Sequence, residues 1–463
     1  MALIGSDDTA AVLEELRCRK DKDPDHFHQY EVNAAGHLKM LFWAVADPRF
    51  NSHDHTDDVV VIDTVFRTNR NDLSHGTSMT STNKITHAHE TEQGTAIAAQ
   101  ERELECFVPV IGMNHHRRPV LLGSGVLTDQ SPDSYVWLLR AFMRSTYQVR
   151  PKSVITDGGD AVVHAVETVL PQSNHRICSC HLERGIREHL DGYSAKEWLC
   201  KMYVKRELWA AAFVGDKFFL GMVTDQSTEC FCLSSGLRTS FSEDMTLLAL
   251  LRRADFRCKY MRTQEAELDN EADKSRVALT TEHECLEKHF ARSFTPANFA
   301  IVLEEIEALD DFEIIDTLSS SSDGSGDKVY TLDLHGELYN VLQSDGGDDQ
   351  DDVFKCSCRK MERDGLPCRH ILHVLRYEKG SYIPKCCKLE RLQRQGGRRY
   401  RRLEEMEALG RRVFDLASQD AEEFEEIKGF LQDWLQQRNY SARDIADMIL
   451  SHTVFGHLKG ADF

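Results

Sequence analysis

Two tight residue pairs carry the clearest chemistry in this chain: Cys356-x-Cys358 and, nine residues later, Cys368-x-His370. Thiolates and an imidazole are soft to borderline ligands, and two such pairs can close a tetrahedral shell around zinc. Because protein supplies all four positions, the expected role is structural rather than catalytic. Gly365-Leu366-Pro367 provides a turn that returns the second pair. The competing reading, unrelated buried cysteines beside a core histidine, is disfavoured by the doubled spacing. His373, about one helical turn past His370, reads as packing or surface rather than as a ligand.

A second constellation is acidic: Asp63 after VVVI, Asp157 after SVIT, and Glu229 farther on. If the two strands lie side by side, both aspartates project from one sheet edge. A third carboxylate would then complete a site for two divalent ions ~3.5–4 Å apart, the arrangement used in phosphodiester chemistry. Magnesium suits such hard oxygen donors. Taken singly, each acid has an ordinary explanation, since Asp at a strand end often makes a turn or caps a helix and Glu229 fits a surface helix.

These residues need elements to position them. The segment AAVLEELRCRK predicts a helix, followed by polar turns and a strand in HLKMLFWAV, a small lead-in region over residues 1–56. From 57 to 240 short apolar runs alternate with helical periodicity, an α/β signature. FVPVIGM and VLLGSGVL predict a hairpin around Asn114-His115-His116-Arg117-Arg118, and Ser131-Pro132-Asp133 starts a helix carrying Val136, Leu139 and Met143. Strand SVIT, a helix in AVVHAVETVL and a strand in HRIC complete the order strand-strand-strand-helix-strand-helix-strand. Residues 241–318 read as helical. SSSSDGSGD and DGGDDQDD, hairpin tips or linkers, bracket the strand pair KVYTLDL and ELYNVLQ, so that 328–385 form a small module around the cysteines. Residues 386–463 hold a basic segment and C-terminal helices, either an ordinary helical hairpin or a dimerising coil.

With 463 residues and 41% hydrophobic content the chain can bury a large core and smaller modules. It contains no apolar run long enough to span a membrane and begins without an apolar leader, so a soluble intracellular protein is expected. Fourteen unevenly placed cysteines then read as thiols and metal ligands in a reducing compartment. A net charge of −20 repels a phosphate backbone, so any nucleic-acid contact must come from a local patch. The candidate is KLERLQRQGGRRYRRL, Lys388 to Leu403, with Arg398, Arg399, Arg401 and Arg402 clustered; it reads either as a solvated helix start or as an import signal or nucleic-acid patch.

Four stretches, VVVIDTVFRTNR, FVPVIGMNHHRRPVLLGSGVLTDQSPDSYVWLLRAFM, VITDGGDAVVHAVETVLPQSNHRICSCHL and FFLGMVTDQSTECFCLSSG, resemble the MULE transposase domain of the plant far-red-impaired-response family. The cysteine cluster resembles that family's SWIM zinc finger. The resemblance runs from about Thr9 to Ile383 in the family's order. It implies an RNase-H-like α/β core with helical additions followed by the finger, an ancestral acidic triad at Asp63, Asp157 and Glu229, and a Cys-x-x-His feature at Cys178 and His181, a candidate pair of metal ligands that packing alone would also explain. It also implies nuclear location, a role in transcription, and homo- or hetero-oligomers with related chains.

Three departures accompany the resemblance. No counterpart of the family's N-terminal DNA-recognition domain precedes Thr9, the helical insertion between His189 and Glu207 is short, and Asn71 to Cys106 is a Thr-, Ser-, His- and Glu-rich insertion, read as a translated intron or a decaying gene model. The expected function is therefore a zinc-binding, non-catalytic nuclear regulator. The alternatives are a transposase with residual metal-dependent DNA cleavage and a truncated partner of full-length relatives.

Overall fold

Uninterrupted runs of β-branched and aromatic residues form strands only where both faces of a sheet are covered. The chain has such runs at Leu38–Ala44 (β2), Val59–Ile62 (β3), Cys106–Met113 (β5) and Ser153–Thr156 (β7), and every residue of β3, β5 and β7 is buried. The structure, a computed structural model, describes residues 6–24, 26–34, 36–44, 59–66, 106–190, 195–222, 245–274, 279–319, 327–344, 352–378, 383–394, 413 and 421–436.

With β1 (Phe27–Val32), β4 (Val65–Phe66), β6 (Pro119–Leu127) and β8 (Asn174–Ile177), these strands make an eight-stranded mixed sheet in the order β1-β2-β6-β5-β3-β7-β8, β4 pairing with β5 off this path. β3, β7 and β8 are parallel; the remaining pairings are antiparallel. Strand alternation splits the core in two. Met40, Phe42, Val60 and Ile62 face α2 (Pro132–Ser145) and α3 (Asp160–Val169). Leu41, Trp43, Val59 and Val61 face the other way, in a cluster that includes residues of α1 (Ser6–Lys22) and of a long helix described below. Ser131 caps α2 by accepting from Ser134 N at 3.3 Å, as the Ser-Pro-Asp signature predicts. That helix lies so close to β6 that a Cβ on Gly125 would collide with Leu138.

The polar turns expected before β2 are in fact strand β1. Its FHQYEV sequence hides the strand because β1 lies at the sheet edge, where its outer half is exposed and needs no apolar alternation. The lead-in strands thus belong to the main sheet. Phe66 pairs with Cys106 at the β4–β5 junction, so Cys106 is a strand residue rather than the end of the insertion; 67–105 lie outside the described residues.

After β8 come α4 (Ser179–Leu190), α5 (Ala195–Val204) and the short α6 (Ala211–Val214), then α7 (Leu247–Lys274), α8 (Glu284–Ser293) and α9 (Pro296–Glu307). β9 (Glu313–Ser319) closes a region expected to be wholly helical; its outer residues are exposed, which erased the apolar signal. β10 (Lys328–Leu334) and β11 (Glu337–Ser344) form the predicted pair, joined by β12 (Val353–Cys356) into a second sheet, β12-β11-β10-β9. Helices α10 (Lys360–Asp364) and α11 (Arg369–Tyr377) follow. One apolar cluster runs unbroken from Trp43 and Phe107 through Phe290 and Val302 to Tyr330 and Ile371. The large unit, Met1–Gly396, contains both sheets. The small unit, Gly397–Phe463, has one described helix of several residues, α12 (Ala421–Gln436); the hairpin or coil expected around it extends outside the described residues. Among the described residues no helix is long and apolar enough to cross a membrane.

The basic stretch departs from both of its expected readings over its first half. Lys388, Arg391 and Arg394 are buried. Arg391 donates to Met113 O, Arg394 donates to the carbonyls of Phe294, Ala272 and Ala291, and Lys388 Nζ meets His289 Nε2 at 3.1 Å. Each guanidinium satisfies carbonyls at turns and helix ends that water cannot reach. Arg398 to Arg402 lie outside the described residues.

Asn298 ties these parts together. Fully buried on α9, it donates from Nδ2 to His115 O at 2.7 Å and Leu392 O at 2.9 Å, and accepts Arg117 Nε at 2.7 Å. Asn298→Ala should lower unfolding free energy by roughly 1–3 kcal/mol, the cost of buried groups left without partners. Denaturant titration should show the midpoint falling at unchanged slope.

Candidate metal centre and acidic strand ends

The β12 strand ends on Cys356, and Cys358 follows in the turn that leads into α10. Gly365 terminates that helix at φ 72°, a left-handed conformation natural to glycine, and its N–H closes on Met361 O at 2.9 Å. The reversal delivers Cys368 to the start of α11 and His370 to its first turn. The donor atoms of Cys356, Cys358, Cys368 and His370 all lie within 4.8 Å of one another. Cys356 Sγ stands 3.5 Å from His370 Nδ1, so the δ nitrogen faces the thiols.

The surroundings hold that geometry. Tyr339 stacks on the His370 ring at 4.0 Å and Phe312 meets it edge-on at 4.8 Å, which fixes its plane. Glu305 of α9, 5% exposed, accepts Arg369 N at 2.8 Å and Arg369 Nε at 2.9 Å, and pairs with Lys360 Nζ at 3.1 Å. Burial alone would raise the Glu305 carboxyl, but the Arg369 bonds and Lys360 hold it below its usual value. The carboxylate thus anchors the peptide between Cys368 and His370. Nothing in the sequence marks Glu305 for this, because its partner is 64 residues away. His373 donates from Nδ1 to Leu309 O at 2.9 Å and packs as expected.

Three thiols this close do not behave as ordinary cysteines. The contact with Cys358 pushes the Cys356 thiol up to about 12, while Cys356 and Cys368 hold Cys358 well below the thiol range. Crowded this way, the three sulfurs resist ionising together unless a cation compensates their charge. The donor set and its burial fit a closed four-ligand zinc shell.

At the other candidate site the parallel register Ile62↔Thr156 sets Asp63 and Asp157 just beyond neighbouring strand ends. Asp63 is 1% exposed. Neither of its oxygens accepts a hydrogen bond among the described residues, and His181 Nε2 lies 3.3 Å from Oδ1. Asp157 Oδ1 accepts Gly159 N at 2.9 Å, a local turn. Lys205 reaches over that turn, donating to Gly158 O at 2.7 Å and pairing with Asp160, whose carboxyl it holds below the usual range. His181 lies on the first turn of α4 directly after Cys178, whose N–H donates to Thr156 O at 2.8 Å. The Cys-x-x-His segment is thereby built onto the β7 end, with its histidine aimed at Asp63. Glu229 lies outside the described residues.

Comparison with known proteins now adds to this geometry. Residues 100–184 match the MULE transposase domain family, and residues 345–379 match the SWIM zinc finger family, a span holding all four clustered ligands. Three Arabidopsis thaliana proteins align along most of the chain. Protein FAR1-RELATED SEQUENCE 7 is 24% identical over 80% of this chain and 47% of its own length. Protein FAR1-RELATED SEQUENCE 5 is 24% identical over 79% and 46%, and Protein FAR-RED IMPAIRED RESPONSE 1 is 22% identical over 81% and 45%. The chain is a homologue of the FAR1-related proteins. It spans about half the length of these relatives. No solved structure matches it. Asp157, Cys178 and His181 fall inside the MULE match, whereas Asp63 and Glu229 fall outside it.

Cys368→Ser should lose the zinc equivalent held at this centre, because three ligands leave the shell open and the lost binding energy is coupled to folding. Glu305→Gln should keep one equivalent at this centre with affinity lowered about tenfold, the usual cost of loosening an outer support. Metal analysis and chelator competition measure both; equal zinc content in Cys368→Ser and wild type would refute the assignment.

Proposed function

We propose that this FAR1-related chain is a transposase-derived nuclear regulator of transcription that binds zinc through its SWIM finger and does not cut DNA. In this reading the α/β sheet is an RNase-H-like core, and Asp63, Asp157 and Glu229 are the remnants of its acidic triad. The zinc cluster would be architectural, holding β12, α10 and α11 as one docking surface for protein or DNA, in homo- or hetero-oligomers with related chains.

One observation carries the non-cutting part. Asp63 is 1% exposed and has the His181 ring nitrogen 3.3 Å from its oxygen. Two-metal cleavage requires carboxylates open to both ions and to a phosphate held in line. Here an imidazole stands on the face of the first acid, and Lys205 reaches over the turn beside the second. The charge of −20 works in the same direction, since it raises the electrostatic cost of holding a polyanion.

A second reading, residual magnesium-dependent cleavage, draws on the two Asp63 oxygens that accept no hydrogen bond among the described residues. In that case Asp63 and Asp157 would hold the ions and His181 would swing aside.

Incubating DNA that carries terminal inverted repeats with the protein, in magnesium and in manganese beside Asp157→Asn, separates the two. The regulator reading expects no cleavage by either protein; cleavage that disappears in the variant would overturn it. DNA binding at stated salt, by the chain alone and mixed with a full-length relative, distinguishes a regulator from a dependent partner, which would bind only in the mixture.

A further inference from the structure

At the end of the sheet opposite the acids, the turn between β5 and β6 brings two imidazoles onto one carboxylate. His115 Nε2 lies 2.5 Å and His116 Nε2 2.9 Å from Asp269 Oδ1 on α7. On the far side of the same ring, His115 Nδ1 faces Glu265 Oε1 at 3.4 Å, one helical turn before Asp269. His115, His116 and Glu265 are almost completely buried, and Asp269 is 13% exposed. We propose that His115, His116 and Asp269 bind a second divalent metal ion of the zinc class, with Glu265 orienting His115.

The convergence of three donors on one point suits a cation. Without one, both Nε2 atoms must carry hydrogens to meet the same oxygen, while His115 Nδ1 must also be protonated to satisfy Glu265. With a metal, both Nε2 lone pairs and the Asp269 oxygen become donors, and the Nδ1–H of His115 points at Glu265. That is the carboxylate–histidine–metal relay which fixes tautomer and ring orientation. Two borderline nitrogens and a carboxylate suit zinc, whose bonds of ~2.0–2.2 Å spread the donors slightly beyond their hydrogen-bonding separations. The partly exposed side of Asp269 leaves the fourth position to water. The backbone is already braced for this, because His115 O accepts both Thr295 Oγ1 and Asn298 Nδ2 at 2.7 Å. Asn114 Oδ1 also accepts the N–H groups of His116 at 3.0 Å and Arg118 at 2.9 Å. The site would clip the hairpin of the main sheet to its longest helix.

Cobalt(II) is the probe, added to the metal-stripped full chain. The wild type should bind two equivalents. One, at the cysteine cluster, gives a thiolate-to-cobalt charge-transfer band; the other gives ligand-field bands alone. Asp269→Asn and His116→Asn should each lose the second equivalent and keep the charge-transfer intensity, whereas Cys368→Ser should do the reverse. Failure of the finger assignment would thus appear as lost charge transfer, separately from failure of this one. Binding by the wild type of the charge-transfer equivalent alone, or an unchanged stoichiometry in folded Asp269→Asn, would overturn the proposal. Because the wild-type measurement decides by itself, an unfolded His116→Asn does not rescue it.

Discussion

Both faces of the eight-stranded sheet are covered by helices and apolar side chains, so a residue that must meet an ion or a proton can be carried only where a strand ends. The polar chemistry of the core is distributed accordingly. Asp63 and Asp157 stand at the carboxyl ends of β3 and β7, and His181 enters from the helix that follows β8. Because β5 runs antiparallel to β3, the turn after it lies at the other end and carries His115 and His116. The two groups are kept apart by the length of the strands between them, and neither could be moved inward without burying an uncompensated polar group.

The same economy explains why the finger is not a separate bead. A small zinc module normally cannot bury enough apolar surface by itself and depends on its ion. Here Tyr330, Leu332, Phe354 and Ile371 continue the cluster that includes Phe290 and Val302. Glu305 links α9 to the ligand-bearing turn through charge-assisted bonds at a helix start, where a carboxylate is doubly favoured. Ligand geometry and core packing are therefore coupled through one helix, α9, which also carries Asn298 against the β5–β6 turn.

Much of this was legible from the residues alone. The cysteine pairs, the capped α2 helix, the β5–β6 hairpin and the strand-end positions of Asp63 and Asp157 follow from spacing and alternation, signals that survive because burial is strong and local. β1 and β9 were hidden for the opposite reason: strands with exposed residues carry polar side chains that imitate loops. Glu305 and Asp269 were invisible because each is an ordinary helical acid whose partner is distant in the chain. The burial of Lys388, Arg391 and Arg394 was missed because charge predicts exposure unless backbone carbonyls are waiting, which only the fold reveals.

Those buried cations bear on what the molecule can grip. A guanidinium that neutralises phosphate must be free to release counterions at the surface. Arg391 instead turns Nη2 to the Met113 carbonyl, Arg394 gives its donors to three carbonyls inside the protein, and Arg117 donates from Nε to Asn298 Oδ1 and from Nη1 to Leu220 O. Arg369 is committed to Glu305 and Arg19 to Asp255. Of a basic complement already outnumbered, 56 lysines and arginines against 76 acids, this removes members best suited by geometry to bidentate phosphate recognition. The large unit thus uses arginine as internal mortar. The arginines that do stay exposed on the helices, such as Arg187 on α4 and Arg252 on α7, are each paired with a glutamate, Glu183 and Glu15, which weakens the field they can offer a polyanion.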